Sequence, residues 1–407
     1  MGEEIVDRSE GFDERLLGLL LDRARLMPPQ LIAPLIAEVV ARIGGSDVSI
    51  LLQDYAQELL VPLSGRKLHV GRPEPMADSP AGRAFLHAEV VEVAQARGVR
   101  MYLPLLDGSD QVGVMALTLD AVTDDDRRLL RRLVGLVADM LITKNSYTDQ
   151  FFLARRREPM SVSAEIQWSL LPPLSMSVPQ IEVAGMLEPA YRVAGDSFDY
   201  ALNDNILHVA VIDAMGHGLD AASMATIAIG AYRHARRVFV SLAETYAFMD
   251  DAICRQFGPD HFVTAQLMHV NITTGELELV NAGHPAPLLI RGGRVARTLE
   301  SATTLPVGFG GEEPRIAEHL LQQGDRVLCY TDGIIEEHVA GGELFGEERL
   351  IRCINRLGEE PSEAVRADLR RLSHTLKGER GGHTSDDATL FMIEWHGGAA
   401  DHLAVLD

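Results

Sequence analysis

Residues 207–219 read LHVAVIDAMGHGL, an apolar run that ends in Asp213 and is followed at once by small residues. A short apolar run bounded by glycines is typical of a buried strand. The same arrangement recurs in residues 326–333, RVLCYTDG, where Asp332 follows the apolar segment. An aspartate in this position lies at the end of a strand, where neighbouring strands can bring several carboxylates together.

Two further loops carry pairs of aspartates: VAGDSFDY, with Asp196 and Asp199, and HTSDDATL, with Asp386 and Asp387. Two carboxylates about 4 Å apart repel by about 4 kcal/mol at an effective dielectric constant of 20, and a divalent cation removes that cost. Oxygen ligands favour Mg²⁺ or Mn²⁺ over zinc. Two such ions can share a water, lower its pKa and hold a phosphoryl group. Any one of these loops is better explained as an ordinary turn, so only the set of four in this order favours a metal site.

Composition limits the function classes. The chain has 407 residues and a net charge of −22, from 37 Lys and Arg against 59 Asp and Glu. This length predicts two or three domains. The negative charge argues against a nucleic-acid partner, because binding to phosphates depends on Lys and Arg. No apolar run approaches the roughly 18 residues of a membrane span. The acidic start MGEEIVDRSE does not resemble a secretory signal. We therefore expect a cytoplasmic protein without membrane contact.

Several common site types are absent from the sequence. The three cysteines, Cys254, Cys329 and Cys353, form no CxxC pair, which argues against disulfides and a cysteine-based zinc site. No Gly-Lys pair and no HExxH motif occur, so the chain has neither a Walker A loop nor the commonest helical zinc motif.

The first half of the chain predicts a small domain followed by a helical connector. Two helices within residues 12–43 are broken at Met27-Pro28-Pro29, and Thr123 caps a later helix. The apolar residues of this later helix recur at helical spacing and continue toward Arg157, before Pro159 interrupts the pattern. We interpret residues 124–170 as a connector, either a solvated spacer or a helix that dimerises and relays signals. The domain boundary is placed between Lys144 and Ser161. Strands are predicted at 48–52, 59–63, 100–106 and 112–119.

From residue 181 the pattern changes to short strands, interrupted by paired helices and by loops rich in Gly and Asp. Strands in runs with paired helices favour an α+β fold over alternating βαβ units. Predicted strands cover residues 181–187, 207–212, 262–270, 276–280, 286–290, 315–321, 326–330 and 389–395, and predicted helices cover 219–238, 242–257, 347–356 and 362–376.

Six separated motifs, AGDSFD, DAMGHG, NAGHPAPLL, LPVGF, YTDGIIE and SDDATL, resemble the metal-dependent PPM family of serine/threonine phosphatases. The branch they resemble is the SpoIIE and RsbU type. The resemblance implies that residues 163–397 form an αββα sandwich of two antiparallel sheets flanked by helices. It also implies two Mn²⁺ or Mg²⁺ ions and hydrolysis of phosphoserine or phosphothreonine on a partner protein. In this branch the usual partner is a STAS-type anti-sigma-factor antagonist.

The resemblance also assigns roles to residues. Asp213 and Asp196 would be the catalytic acids, and Asp213 would bridge the metals beside the carbonyl of Ala214. Asp332 and Asp386 would complete the metal ligands. The supporting residues would be Gly195, Asp199, Gly216, Asn281, His284, Gly333 and Asp387.

Three positions depart from the family pattern. Ala194 and Ala214 stand where relatives often have glycine, and the β-carbon of Ala194 would crowd the loop if its φ were positive. Met215 occupies the place of a histidine that is thought to protonate the leaving group. His217, two residues further on, is more easily explained as a structural loop histidine. A metal-bound water is then the expected proton donor.

The ending of the first half, MYLPLLDGSDQVGVMALTLDAVTDDDRRLLRRLVGLVADML, resembles the closing hairpin and helix of a GAF sensory domain. The resemblance implies a GAF-like α/β sensor over residues 12–145, with an unidentified small-molecule ligand, in a homodimer. No cysteine precedes Cys254, so a thioether-linked chromophore or an iron–sulfur cluster is excluded there.

Two other functions fit parts of the sequence. A regulatory scaffold would keep the phosphatase fold and bind partners without turnover, but the intact acids argue against it. A GDS-type ester hydrolase would use Ser197 as its nucleophile, which requires a histidine in a DxxH motif, and no DxxH occurs in the chain.

Overall fold

The computed structural model describes residues 10–107, 110–192, 195–238, 240–302, 304–311, 313–338, 343–359, 364–380 and 387–398. The chain divides into two compact units, Met1–Pro159 and Met160–Asp407. Within the described residues, no helix is both long enough and apolar enough to cross a bilayer.

The amino-terminal unit is built on one antiparallel sheet. Its strands are β1 (Ser46–Gln53), β2 (Leu59–Pro62), β3 (Glu74–Pro75), β4 (Val91–Ala94), β5 (Val99–Asp107) and β6 (Asp110–Leu119). They are arranged in the order β3-β2-β1-β6-β5-β4. The helices are α1 (Glu10–Arg25), α2 (Ile32–Arg42), α3 (Pro80–His87), α4 (Asp124–Asn145) and α5 (Gln150–Arg155), with a 3₁₀ turn at Pro29–Leu31.

The two faces of this sheet differ in character. Alternate residues of β1 and β5, among them Ile50, Leu52 and Leu103, form an apolar core with residues from α1, α2 and α4. The residues between them, such as Ser49 and Arg100, point to the opposite face. The antiparallel β5–β6 pair confirms the predicted strands 100–106 and 112–119, and the turn residues 108 and 109 lie outside the described residues.

Helix α4 belongs to the amino-terminal unit. Thr123 and Asp126 form a capping box at its start. Its apolar residues Leu130, Leu133 and Val137 are completely buried in the core of that unit. The expected connector therefore needs correction: α4 ends at Asn145, and α5 and α6 (Val162–Leu170) are separate helices. The apolar stripe of α4 packs on its own unit instead of remaining free for a second chain.

The carboxy-terminal unit contains two antiparallel sheets. Sheet one has the order β15-β12-β11-β10-β9 and sheet two the order β14-β13-β16-β17-β8-β7. The strands are β7 (Ser175–Val178), β8 (Ile181–Glu188), β9 (Asp196–Asn203), β10 (Ile206–Ala214), β11 (Val263–Asn271), β12 (Glu276–Ala282), β13 (Leu288–Arg291), β14 (Arg294–Thr298), β15 (Ala317–Leu320), β16 (Asp325–Tyr330) and β17 (Ala388–Trp395). The remaining helices are α7 (Gly218–Arg237), α8 (Leu242–Phe257), α9 (Asp332–Ile335), α10 (Glu347–Leu357) and α11 (Val365–Glu379).

The two sheets share one apolar core. Phe198 and Val209 of sheet one meet Phe391 and Ile393 of sheet two, and the rings of Phe198 and Phe391 are 5.1 Å apart. Helices α7 and α8 cover the other face of sheet one, and α10 and α11 cover the other face of sheet two. The predicted α+β class with antiparallel sheets is therefore confirmed.

The sequence did not predict β9, because VAGDSFDY was interpreted as a loop on account of its Gly and Asp content. In the structure Asp196–Asn203 form an edge strand of sheet one, with Phe198 and Tyr200 turned toward the shared core. Those two aromatic residues, two positions apart, are the period-two signal that was overlooked.

Two histidines face each other on sheet one. His208 of β10 and His269 of β11 are directly opposite, with ring centroids 4.4 Å apart. The pKa of each is lowered to about 4, by burial in both cases and, for His208, also by His269 and Arg236. Both are therefore neutral in the folded protein near neutral pH.

We predict that the free energy of unfolding decreases as the pH falls from about 6.5 toward 4, because the unfolded histidines take up protons near 6.5 while the folded ones do not. The double variant His208→Gln, His269→Gln should reduce this decrease, as measured by urea denaturation at pH 7, 6 and 5. The exposed His374 provides the matched control, and His374→Gln should leave the pH dependence unchanged. A double variant with the wild-type pH dependence would contradict the prediction.

Candidate active site

The centre of the candidate site is the end of the β9–β10 pair. Asp196 and Asp213 are direct partners in the antiparallel register, so their side chains lie on the same face of sheet one. That face is turned toward sheet two, because Phe198 and Val211 on it belong to the shared core. The strand register therefore brings together two acids that are 17 positions apart in the chain.

A third carboxylate joins them from sheet two. Asp387, just before β17, accepts a hydrogen bond from the backbone N–H of Gly195 at 2.7 Å through Oδ2. Gly195 packs tightly on the end of β10: a β-carbon there would lie 2.5 Å from the carbonyl oxygen of Ala214. A side chain at residue 195 would therefore separate the β9 end from the Ala214 carbonyl.

The electrostatics of Asp196 reflect this crowding. Only 1% of the residue is exposed, and burial raises its pKa well above the usual aspartate range. The negative charges of Asp213 and Asp387 raise it further, while hydrogen bonds from Thr331 and Thr389 act in the opposite direction. The Thr331 hydroxyl donates to Asp196 Oδ2 at 2.7 Å and accepts from the N–H of Thr389 at 2.8 Å. Asp196 is thus held by both sheets.

The fourth predicted acid lies beside Asp387. Asp332 follows β16 and begins the short helix α9. At the next position, a β-carbon on Gly333 would lie 1.8 Å from the carbonyl oxygen of Asp387. Only glycine permits this approach, so the small residue in the YTDG motif brings the Asp332 turn against the start of β17.

The side chains gathered here are carboxylates that repel one another, and carboxylate oxygens are suitable ligands for a hard divalent cation. They do not complete a set of ligands: among the described residues, no three acids, histidines or cysteines are grouped closely enough to hold a metal ion. The predicted ligand Asp386 and the substituted residue Ala194 lie outside the described residues.

His284 supports the site as a neutral side chain. Its Nδ1 is 2.7 Å from the hydroxyl of Thr264, the residue directly opposite Asp213 on β11. Asn281 closes the turn by two hydrogen bonds of 2.9 Å: its Oδ1 accepts from the N–H of His284, and its side-chain amide donates to the carbonyl of His284. Burial lowers the pKa of His284 to about 3. A histidine held neutral in this way does not provide a proton donor near pH 7.

The loop after Asp213 carries no buried acid or base. Gly216 has a φ of +94°, which glycine adopts readily, and it turns the chain into α7. Met215 is 43% exposed. His217 is the N-cap residue of α7 and makes no side-chain capping bond.

Asp199 was expected to support the site, and its position requires a correction. It lies three residues from Asp196 on the same strand, so its side chain points to the opposite face of sheet one. There it forms an ion pair with Arg233 and lies 3.6 Å from Arg236, both on α7. Asp199 therefore anchors α7 to the sheet.

Ser197 also lies on the helix-facing side of β9 and is completely buried. A nucleophile must reach its substrate, so this position is incompatible with the ester-hydrolase alternative.

Sequence reasoning missed the neutral residues that hold Asp196. The side-chain amide of Gln167, on α6, donates to the backbone carbonyl of Asp196, and Gln167 is completely buried. Thr331 stands directly before Asp332 in YTDG, but the motif was searched only for charged residues. A polar residue on the buried side of an amphipathic helix, as Gln167 is, was the available signal.

Part of this chain matches a known protein family. Residues 203–396 match the model of the SpoIIE family, Stage II sporulation protein E. The matched residues include Asp213 and Asp332, whereas Asp196 precedes them.

Two curated relatives are similar to part of this chain. The phosphoserine phosphatase RsbP of Bacillus subtilis (strain 168) is 24% identical over 254 residues, which are 60% of this chain and 59% of that protein. Protein IcfG of Synechocystis is 24% identical over 223 residues, 47% of this chain and 34% of that protein. The chain thus spans less than two thirds of either relative.

Two solved structures are also similar. The RsbU and RsbW domains of a Mycobacterium tuberculosis protein share 27% identity, with a TM-score of 0.47 over 55% of this chain and 63% of that one. The SiaA-PP2C domain of Pseudomonas aeruginosa shares 21% identity, with a TM-score of 0.49 over 57% of this chain and 94% of that one.

We predict that Gly333→Ala destabilises the protein by about 1–3 kcal/mol, because the new methyl group overlaps the carbonyl of Asp387. Gly230→Ala is the matched control: Gly230 is exposed within α7, and a β-carbon there meets nothing within 4 Å. That control should stabilise the protein by about 0.5–1 kcal/mol, because alanine favours the helix. Urea denaturation measures both, and an unchanged stability of Gly333→Ala would show that the contact is not tight.

Proposed function

We propose that residues 163–397 form a SpoIIE-type domain and that this domain is a metal-dependent protein serine/threonine phosphatase. The observation that carries the proposal is the convergence of Asp196, Asp213 and Asp387 at one end of the two sheets, where their charges raise the pKa of Asp196. Buried carboxylates in mutual repulsion are the arrangement that a divalent cation stabilises. The match of residues 203–396 to the SpoIIE family supports the same activity.

In this proposal Asp196, Asp213, Asp332, Asp386 and the carbonyl of Ala214 hold two Mn²⁺ or Mg²⁺ ions. Bound there, such ions supply a water of lowered pKa and positive charge for the phosphoryl oxygens. The number and identity of the ions belong to the proposal.

The protein's own residues have separate tasks. Thr331 fixes the carboxylate of Asp196 by its hydroxyl, and Gln167 fixes the backbone of the same residue. Asp387 holds the N–H of Gly195, which keeps the β9 end against Ala214. Because His284 is neutral and buried, and Met215 has no ionisable group, no described side chain at the site is proposed as the proton donor for the leaving serine oxygen.

The proposed substrate is a phosphorylated protein, most specifically a STAS-type anti-sigma-factor antagonist. The relative RsbP is named a phosphoserine phosphatase, which supports phosphoserine as the substrate group. Dephosphorylation of such an antagonist would release a sigma factor by partner switching. We further propose a cytoplasmic location and no nucleic-acid partner, consistent with the net charge of −22.

For the amino-terminal unit we propose a GAF-like sensory role over residues 12–145. The support is a six-stranded antiparallel sheet with helices packed on it and a closing hairpin followed by α4. A homodimer is part of this proposal. Since the stripe of α4 is buried, the exposed apolar residues Tyr147 and Leu153 of the same unit are the better candidates for its contact.

The first test is Asp213→Asn, which removes one ligand charge while preserving shape. It should lower phosphate release from a phosphoserine protein in the presence of Mn²⁺ by about 100-fold or more, and Mn²⁺ binding measured by calorimetry should weaken with it. Asp204→Asn is the control, because Asp204 is exposed in the β9–β10 turn with a φ of +50° that asparagine tolerates. Wild-type turnover by Asp213→Asn would refute the site.

The same assay separates the scaffold alternative. Wild-type protein without turnover, and without turnover after deletion of residues 1–160, would favour a domain that only binds its partner.

A second test concerns Gln167. Gln167→Leu removes the donor to the Asp196 carbonyl, and we expect the Mn²⁺ concentration for half-maximal activity to rise roughly tenfold, as for other residues that orient metal ligands. Ser169→Ala on the same helix is the control, because Ser169 is exposed and its hydroxyl, within the described part of the chain, bonds only to the carbonyl of Ile166. An unchanged Mn²⁺ requirement in Gln167→Leu would reduce Gln167 to a packing residue.

A further inference from the structure

A polar cavity lies in the amino-terminal unit, far in sequence from the phosphatase residues. Its volume is about 450 Å³, within the roughly 300–1,000 Å³ typical of small-molecule sites. Its floor is the face of the sheet opposite the core that contains α1, α2 and α4, and one wall is the segment 69–75. The floor residues are Ser49, Leu51, Arg100, Tyr102 and Thr118.

The most informative lining residue is Arg100, which is only 8% exposed. From β5 its side chain extends across β6 to β1. There its guanidinium donates to the hydroxyls of Ser49 at 3.0 Å and Thr118 at 3.4 Å, and to the backbone carbonyl of Asp47. All three acceptors are neutral oxygens. Among the described residues, no carboxylate forms a salt bridge with Arg100.

The acid Glu74 interacts electrostatically with Arg100. Burial raises the pKa of Glu74, and its carboxylate also accepts a hydrogen bond from the N–H of Ala81 at the start of α3. The ring centroid of Tyr102 lies 5.7 Å from the guanidinium. The cavity therefore contains a buried, permanently charged cation whose direct partners are hydroxyls, a carbonyl and an aromatic ring.

A buried charge is costly unless an opposite charge pairs with it. Arginine presents several N–H groups in a planar fork that matches a carboxylate or a phosphoryl group. Three hydrogen bonds already fix the orientation of the Arg100 guanidinium, and two of them are accepted by hydroxyls that lie on the cavity floor.

We propose that this cavity binds a small molecule with a carboxylate or phosphoryl group, which pairs with the guanidinium of Arg100 beside the hydroxyls of Ser49 and Thr118. The anion supplies the charge that the neutral partners lack. The proposed site specifies the class of ligand that the sensory domain proposed above would bind. It is independent of the proposed phosphatase activity, because every residue of the site lies in Met1–Pro159.

The test uses the full chain and two probes, sodium succinate and sodium phosphate, with sodium chloride at matched ionic strength as the blank. Isothermal calorimetry should show one saturable site for at least one probe at concentrations up to about 10 mM. Binding of succinate alone identifies a carboxylate site, and binding of phosphate alone identifies a phosphoryl site. Failure of both probes to bind would overturn the proposal.

Variants then locate the bound probe. Arg100→Gln should weaken its binding by about tenfold or more, because a charged hydrogen bond is lost. Arg131→Gln is the matched control, since Arg131 is exposed on α4, on the other side of the sheet. Equal affinity of Arg100→Gln and wild type would overturn the proposal.

A second variant covers the case in which Arg100→Gln does not fold, which circular dichroism would show. The double variant Ser49→Ala, Thr118→Val keeps the cation and removes the two hydroxyls that orient it. It should also weaken binding of the probe, and an unchanged affinity would contradict the proposed site. Phosphatase assays play no part in this test, so its outcome is separate from that of the proposed activity.

Discussion

The arrangement of the carboxy-terminal unit depends on one electrostatic constraint, the repulsion between carboxylates held together at the end of the sandwich. The register of β9 and β10 sets Asp196 directly opposite Asp213, and Asp387 approaches from sheet two through the N–H of Gly195. Burial and the two neighbouring charges raise the pKa of Asp196. The fold therefore places charge where it is unfavourable in the protein alone, which is the situation that a bound cation relieves.

The rest of the unit keeps these acids close. Apolar residues from both sheets form one core, which fixes the distance between the strand ends. Close contacts at Gly195 and Gly333 then bring the Ala214 carbonyl and the Asp332 turn to the same place. Thr331 bonds to both Asp196 and the Thr389 backbone, so the two sheets meet through a neutral hydroxyl at the acid that is most deeply buried. In this account glycine and threonine matter as much as the aspartates.

The sequence was informative where local pattern determines position. Asp213 and Asp332 were predicted at strand ends, because an apolar run followed by small residues is a local signal, and the structure agrees. Asp199 was misplaced because its role depends on which face of β9 it occupies, and β9 was not recognised as a strand. Thr331 and Gln167 were missed because their contacts join segments distant in sequence, and neither residue type signals a site by itself. The apolar stripe of α4 was visible, but periodicity does not reveal which surface covers it.

The most direct measurement of the central claim is anomalous diffraction from crystals of the full chain soaked in Mn²⁺. The account predicts two neighbouring manganese peaks beside the carboxylate of Asp213, in contact with the Ala214 carbonyl and with Asp332 and Asp386. Manganese peaks only at unrelated surface carboxylates, with none at Asp213, would contradict it.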